Sequence, residues 1–181
     1  GEYSFKDCKS IKKIIIPSSV TSIGYYAFSG CSSLESMTVP FVGNTLNGTS
    51  STYFGYIFGA SAYEYNDTNV PKSLKEVIVT GGNKITSNAF AYCENITSIT
   101  LPKTITSIES SAFNQCTSLT DVYYNGTVED WCKVVIASST SNPMYYATSL
   151  YMKDSNDEYY EVTEIEVPET ITSIGNYQFY G

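Results

Sequence analysis

"IIIPSSVTSIGYYAFSGCSSLESMTVP", residues 14–40, returns further along as "ITLPKTITSIESSAFNQCTSLTDVYY", residues 99–124. The offsets are regular. Phe5 to Phe28, Cys8 to Cys31, Ile11 to Leu34 and Pro17 to Pro40 are each 23 residues apart, and Phe90 to Phe113, Cys93 to Cys116 and Ile96 to Leu119 repeat that interval. A fixed period of about 20 to 50 residues marks a solenoid, in which each unit buries its apolar side only against its neighbours.

Within one unit the order is Leu or Ile, two variable residues, an apolar residue, one variable residue, an apolar residue and often Pro. Leu34, Met37 and Val39 follow it, as do Leu74, Val77 and Val79, then Ile96, Ile99 and Leu101. Alternation of the last two apolar positions with polar neighbours predicts a half-buried strand. Pro17, Pro40, Pro102 and Pro168 then end it, because proline donates nothing to a strand ladder. A second short apolar stretch follows, "SVTSIG", "TITSIE" or "TITSIG", and then a turn with Phe28, Phe113 or Phe179 five residues after Ile23, Ile108 or Ile174. One aromatic at one place in every coil predicts an internal Phe spine.

Two stretches leave the period. Residues 41–73 and 125–161 are rich in Tyr, Asn, Ser, Thr and Gly. Each reads as a stretched repeat, with Phe54-Gly55-Tyr56-Ile57-Phe58 as a degenerate Ile-Gly-x-x-Ala-Phe and the remainder as loop. "KDSNDE", residues 153–158, lies between Tyr-rich runs and predicts a hairpin turn.

The motifs "IPSSVTSIGYYAFSGCSSL", "LPKTITSIESSAFNQCTSL" and "VPETITSIGNYQF" resemble the BspA-like leucine-rich repeats of bacterial surface proteins. Gln178 stands where Ala usually precedes Phe, and Glu109 stands where the sequence otherwise has Gly24 and Gly175, so those two turns are the places where geometry could depart. The expected fold is a leucine-rich-repeat solenoid, mainly β with short helical or 3-10 turns. Residues 1–181 read as a single domain, part of a longer array that the chain enters and leaves in mid-repeat. The resemblance implies an extracellular or cell-surface location and adhesion to host proteins or neighbouring cells.

Composition excludes several functions. The net charge is −8, with ten Lys, no Arg and no His. Nucleic acid needs clustered cations, so it is not an expected partner. Without Arg there is no bidentate phosphate clamp, and without His there is no Ser-His or Cys-His nucleophile pair and no imidazole metal site. No apolar run long enough to span a bilayer occurs, so direct membrane insertion is not expected.

The remaining chemistry is sparse. Cys8, Cys31, Cys93 and Cys116 share one phase of the repeat and predict a ladder of small buried thiols whose side chains point the same way, which does not suit disulfides. Cys132, beside Trp131, is expected to be packed. Glu129 with Asp130, and Glu164 with Glu166, are the carboxylate pairs from which a hydrolase would be built, yet a glycosidase needs its two carboxyls across a cleft and Glu164 and Glu166 fall on one strand face. Asp154, Asn156 and Glu158 alternate as calcium ligands might, without the Gly of an EF-hand loop, and a solvated hairpin is the expectation. No enzyme activity, cofactor or metal is expected.

Recognition is the stronger reading. The variable strand positions line an outer sheet: Lys13 and Ile15, Ser36 and Thr38, Glu76 and Ile78, Ser98 and Thr100, Asp121 and Tyr123, Glu164 and Glu166. The chain adds 17 Tyr, which give contact area at low entropic cost. The expectation is a non-catalytic module binding an extracellular protein or glycan through this face. The alternatives are a passive structural spacer and, less favoured, a carboxylate-based polysaccharide hydrolase.

Overall fold

The computed structural model describes residues 1–181. Each coil contributes one strand to a seven-stranded sheet: β1 (Lys13–Ile15), β2 (Ser36–Val39), β3 (Glu76–Val79), β5 (Ser98–Leu101), β7 (Asp121–Tyr124), β9 (Ser149–Lys153) and β10 (Tyr159–Glu161), adjacent in that order. All pairings are parallel except that of β10, which returns antiparallel on β9. On the far side of the coils, β4 (Lys84–Ile85), β6 (Ser107–Ile108) and β8 (Val135–Ile136) form a second, three-stranded parallel sheet. These are the short apolar stretches that follow each proline or strand end.

Register explains the sequence pattern. Ile14, Met37, Val77, Ile99, Val122 and Leu150 occupy successive rungs, and all but Ile14 are buried. Val39, Val79, Leu101, Tyr124 and Met152 fill the next inward row. Thirty-six buried residues form one continuous core through the coils.

The Phe spine is present. Ring centroids lie 5.1 Å apart for Phe5 and Phe28, and 5.4 Å for Phe90 and Phe113, both stacked nearly parallel. Between them the stretched coil supplies two rings. Phe58 lies 6.3 Å from Phe28, and Phe54 lies 5.2 Å from Phe90, so the 3-10 turn Phe54–Phe58 bridges a gap that one ring could not fill. The rest of that insert is not all loop: a 3-10 turn at Tyr63–Tyr65 runs into a short helix, α1 (Asn66–Asn69). Asn66 is fully buried, accepts from the Gly55 amide at 2.9 Å and donates to the Ala91 carbonyl at 2.7 Å, which ties the insert to the next coil.

Each regular turn also carries two left-handed residues, one two positions before the Phe and one two positions after. Tyr26 and Gly30 flank Phe28, Asn88 and Tyr92 flank Phe90, and Ser111 and Gln115 flank Phe113, all with φ between 57° and 75°. The turns at Glu109 and Gln178 keep this geometry, with φ of 57° at Ser111 and 58° at Tyr177. Glu109 is accommodated because its carboxylate accepts from the Ser87 amide and pairs with Lys84 at 3.2 Å.

The five cysteines are free. Cys31 Sγ donates to the Phe5 carbonyl and Cys116 Sγ to the Phe90 carbonyl, each at 3.2 Å, so the thiols stitch one coil to the coil before it. Burial pushes the Cys116 and Cys93 thiols well above their ordinary pKa.

The C-terminal repeat departs from expectation. Val162–Pro168 form no strand, and Glu164 and Glu166 are exposed outside the sheet. The rung they were expected to fill belongs to Ser149–Lys153, from within the second irregular stretch, and β10 then covers its edge. An antiparallel strand on that edge leaves the next parallel strand no place to pair. The chain instead returns through its last turn, where Trp131 Nε1 donates to the Gln178 carbonyl at 2.8 Å, the Gln178 side-chain amide donates back to the Trp131 carbonyl, and Asn142 donates to the Tyr177 carbonyl at 2.7 Å. Trp131 lies on α2 (Val128–Cys132), capped by a reciprocal pair of bonds between Thr127 and Asp130.

Candidate functional site

The outer face of the larger sheet carries two adjoining rows, because residues two apart on a strand share a face and register partners align across strands. One row runs Lys13, Ser36, Glu76, Ser98, Asp121, Ser149. The other runs Ile15, Thr38, Ile78, Thr100, Tyr123, Tyr151. Every residue expected on this face is there except Glu164 and Glu166. Most of them are partly exposed, while Thr100 is buried, with 9% of its surface exposed. The sequence reading missed Ser149 and Tyr151. Ala147 replaces the Leu that opens other repeats and hides the pattern, yet Leu150-Tyr151-Met152 alternates as a strand should.

At the C-terminal end the face is aromatic. Tyr123 and Tyr151 stack at 4.5 Å with rings 10° from parallel, and Tyr159 meets Tyr123 edge to face at 5.1 Å. Lys153 Nζ sits 4.1 Å above the Tyr159 ring, and the Tyr159 hydroxyl donates to Asn125. Burial raises the pKa of Tyr123, and the nearby Tyr151, Asp121 and Glu76 add to it. Tyr123, Tyr151, Tyr159 and Lys153 are thus in contiguous contact.

The carboxylates are held but not neutralised. Ser36 Oγ donates to Glu76 at 2.5 Å, Thr120 Oγ1 to Asp121 at 2.6 Å and Ser149 Oγ to Glu161 at 2.9 Å. The four ion pairs of the molecule, Lys12–Glu35, Lys84–Glu109, Lys133–Glu129 and Lys153–Asp157, involve none of the three.

The other candidates take structural roles. Glu129 pairs with Lys133 at 2.9 Å and accepts from Thr170, contacts that lower its pKa, the opposite of what a general acid needs. Asp130 is committed to the α2 cap. Asp154 Oδ1 accepts from the amides of Asn156 and Glu158 at 2.8 and 3.0 Å, which builds the hairpin turn between β9 and β10. Many tyrosines pack loops: Tyr25 donates to the Gly59 carbonyl and Tyr53 to the Ala60 carbonyl. No helix is long and apolar enough to cross a membrane.

A family model described as "BspA type Leucine rich repeat region" matches six copies over residues 1–76 and 152–181. Among curated proteins, none matches the chain. Among solved structures, a leucine rich cell surface protein from Faecalibacterium prausnitzii is 27% identical over 68% of this chain, with a TM-score of 0.42. A leucine-rich repeat protein from Bacteroides ovatus is 21% identical over 83% of the chain, with a TM-score of 0.41. The chain spans 35% of the length of each.

Proposed function

Because the chain belongs to the BspA-type leucine-rich repeat family, we propose that it is a non-catalytic recognition module of a bacterial cell-surface or secreted protein, binding an extracellular macromolecule through the outer face of its larger sheet. The observation that carries this reading is the face itself. Stacked coils hold a row of hydroxyls and carboxylates beside a row of aliphatic and aromatic side chains on a rigid backbone. Preorganised side chains of this kind lose little freedom on binding, and a Tyr cluster is the sort of anchor on which interface energy concentrates. The surface placement and a role in adhesion rest on family membership.

The test is saturable binding of the purified chain to a panel of matrix glycoproteins and polysaccharides at physiological salt, beside the variant Asp121→Ser/Tyr123→Ser/Tyr151→Ser. The variant is expected to weaken binding at least ~10-fold, about 1.4 kcal/mol. Equal binding by both would move recognition to the inserts at 41–73 and 125–161. Binding to nothing on the panel would leave the role of a spacer.

A further inference from the structure

On the premise that the outer sheet face is the recognition surface, we propose that its occupant is an extended, polyproline-II-like segment of a partner protein carrying a basic side chain at every third residue.

Charge is the first argument. Glu76 and Asp121 stand in one row, and Glu161, in register with Tyr151 in the adjoining row, leans its carboxylate onto Ser149; each is oriented by a hydroxyl and none is paired with a cation. Three fixed carboxylates outside any ion pair, on a molecule of net charge −8, are complementary to a cationic partner. Lys153 over the Tyr159 ring is an ammonium already seated on this surface, at 4.1 Å from the centroid, so the face accommodates a lysine where one is tethered to it.

Spacing is the second argument. Glu76 and Asp121 are each in register with Ser98, on either side of it, so they stand two strands apart, about 10 Å. A polyproline-II segment rises about 3.1 Å per residue with three residues per turn, so every third side chain returns to one face at about 9 Å. A segment laid across the strands would bring successive basic residues onto Glu76 and Asp121. Its apolar residues would fall on Ile78, Thr100 and Tyr123, as such helices fall on aromatic-lined surfaces elsewhere. An extended β-strand does not fit as well, because its residues i and i+3 point to opposite sides.

A neutral glycan is the less suited ligand. Sugars bind aromatic side chains through a free ring face, and the stacking of Tyr123 on Tyr151 consumes one face of each ring.

The experiment is fluorescence anisotropy of the full chain with three labelled probes: the peptide Lys-Pro-Pro-Lys-Pro-Pro-Lys, an isomer of the same composition with its three lysines adjacent, and a neutral polysaccharide. The spaced peptide is expected to bind at least several-fold tighter than the isomer and to weaken as ionic strength rises. The variant Glu76→Gln/Asp121→Asn/Glu161→Gln should lose about 10-fold in affinity. Glu2→Gln/Glu64→Gln/Glu94→Gln, which removes the same charge from exposed sites off the face, should lose little. Equal loss in both variants, equal binding of the two peptides, or preference for the polysaccharide would each overturn the proposal. If neither peptide binds while the glycoprotein panel does, the basic occupant is wrong and the recognition face stands. If the panel also fails, the premise falls with it.

Discussion

At the scale of single residues, the left-handed pair around each Phe is a cost that the sequence meets unevenly. Gly30 holds its position without strain at φ 75°, while Gln115, at the equivalent place, holds φ 61° with a Cβ. An L-residue there costs about 1–2 kcal/mol, of which glycine's greater unfolded freedom returns about 0.5–1. Gln115→Gly is therefore expected to stabilise by about 0.5–1 kcal/mol, and Gly30→Ala, whose new Cβ would meet Asp7, to destabilise, both read from urea midpoints. The thiols give a second prediction. With Cys31, Cys93, Cys116 and Cys132 buried and their pKa values raised, a native-state titration with a thiol reagent near pH 8 should modify Cys8 first and the others only as the chain unfolds. Rapid modification of all five would contradict the ladder. The ladder itself was legible from spacing. The left-handed pairs were not, since Tyr, Asn, Ser, Gln and Asp at those sites carry no shared signature beyond Gly30.

At the scale of elements, the sequence announced every strand built on the Leu-x-x-apolar-x-apolar pattern and failed where composition blurred it. Ala147 concealed β9, and Glu164-Ile165-Glu166 has the right alternation yet no edge to join, because strand formation depends on a free neighbour as well as on pattern. The hairpin that decides this is tuned by Asp154, whose pKa is lowered chiefly by the amides of Glu158 and Asn156. A carboxylate that titrates below its ordinary value of about 4 contributes stability above that pH and loses it as pH falls through the folded value. Hydrogen exchange at Asn156 and Glu158 should therefore quicken on acidification beyond the intrinsic pH dependence, and Asp154→Ala should abolish the extra change. The C-terminal turn is a second separable element. Trp131→Phe keeps a ring in the core but leaves the Gln178 carbonyl only a long 3.5 Å bond from Asn142, which costs about 1–3 kcal/mol and should release residues 170–181 to limited proteolysis before the sheet opens.

At the scale of the molecule, stability in a solenoid is close to a sum of coil and interface contributions. Phe113→Ala, which removes the last stacked ring of the spine, should cost about 3–5 kcal/mol and lower exchange protection most in β5 and β7. An even loss across all seven strands would instead mark the molecule as a single cooperative block. Period alone gave this architecture, because every coil repeats one burial problem. The acidic and aromatic rows needed the register, which the inserts had obscured. The antiparallel return of β10 has a mechanical consequence. Ladder bonds between coils run along the array axis, so a tensile load applied from the C-terminal side is met first by the docked turn at Tyr177 and Gln178 and, once that lets go, by the three-residue β10, which peels from Glu161 back toward Tyr159. Its yielding bares the edge of β9, so the strand that now stops the sheet acts as a fuse, and force turns a closed end into one open to a new parallel strand.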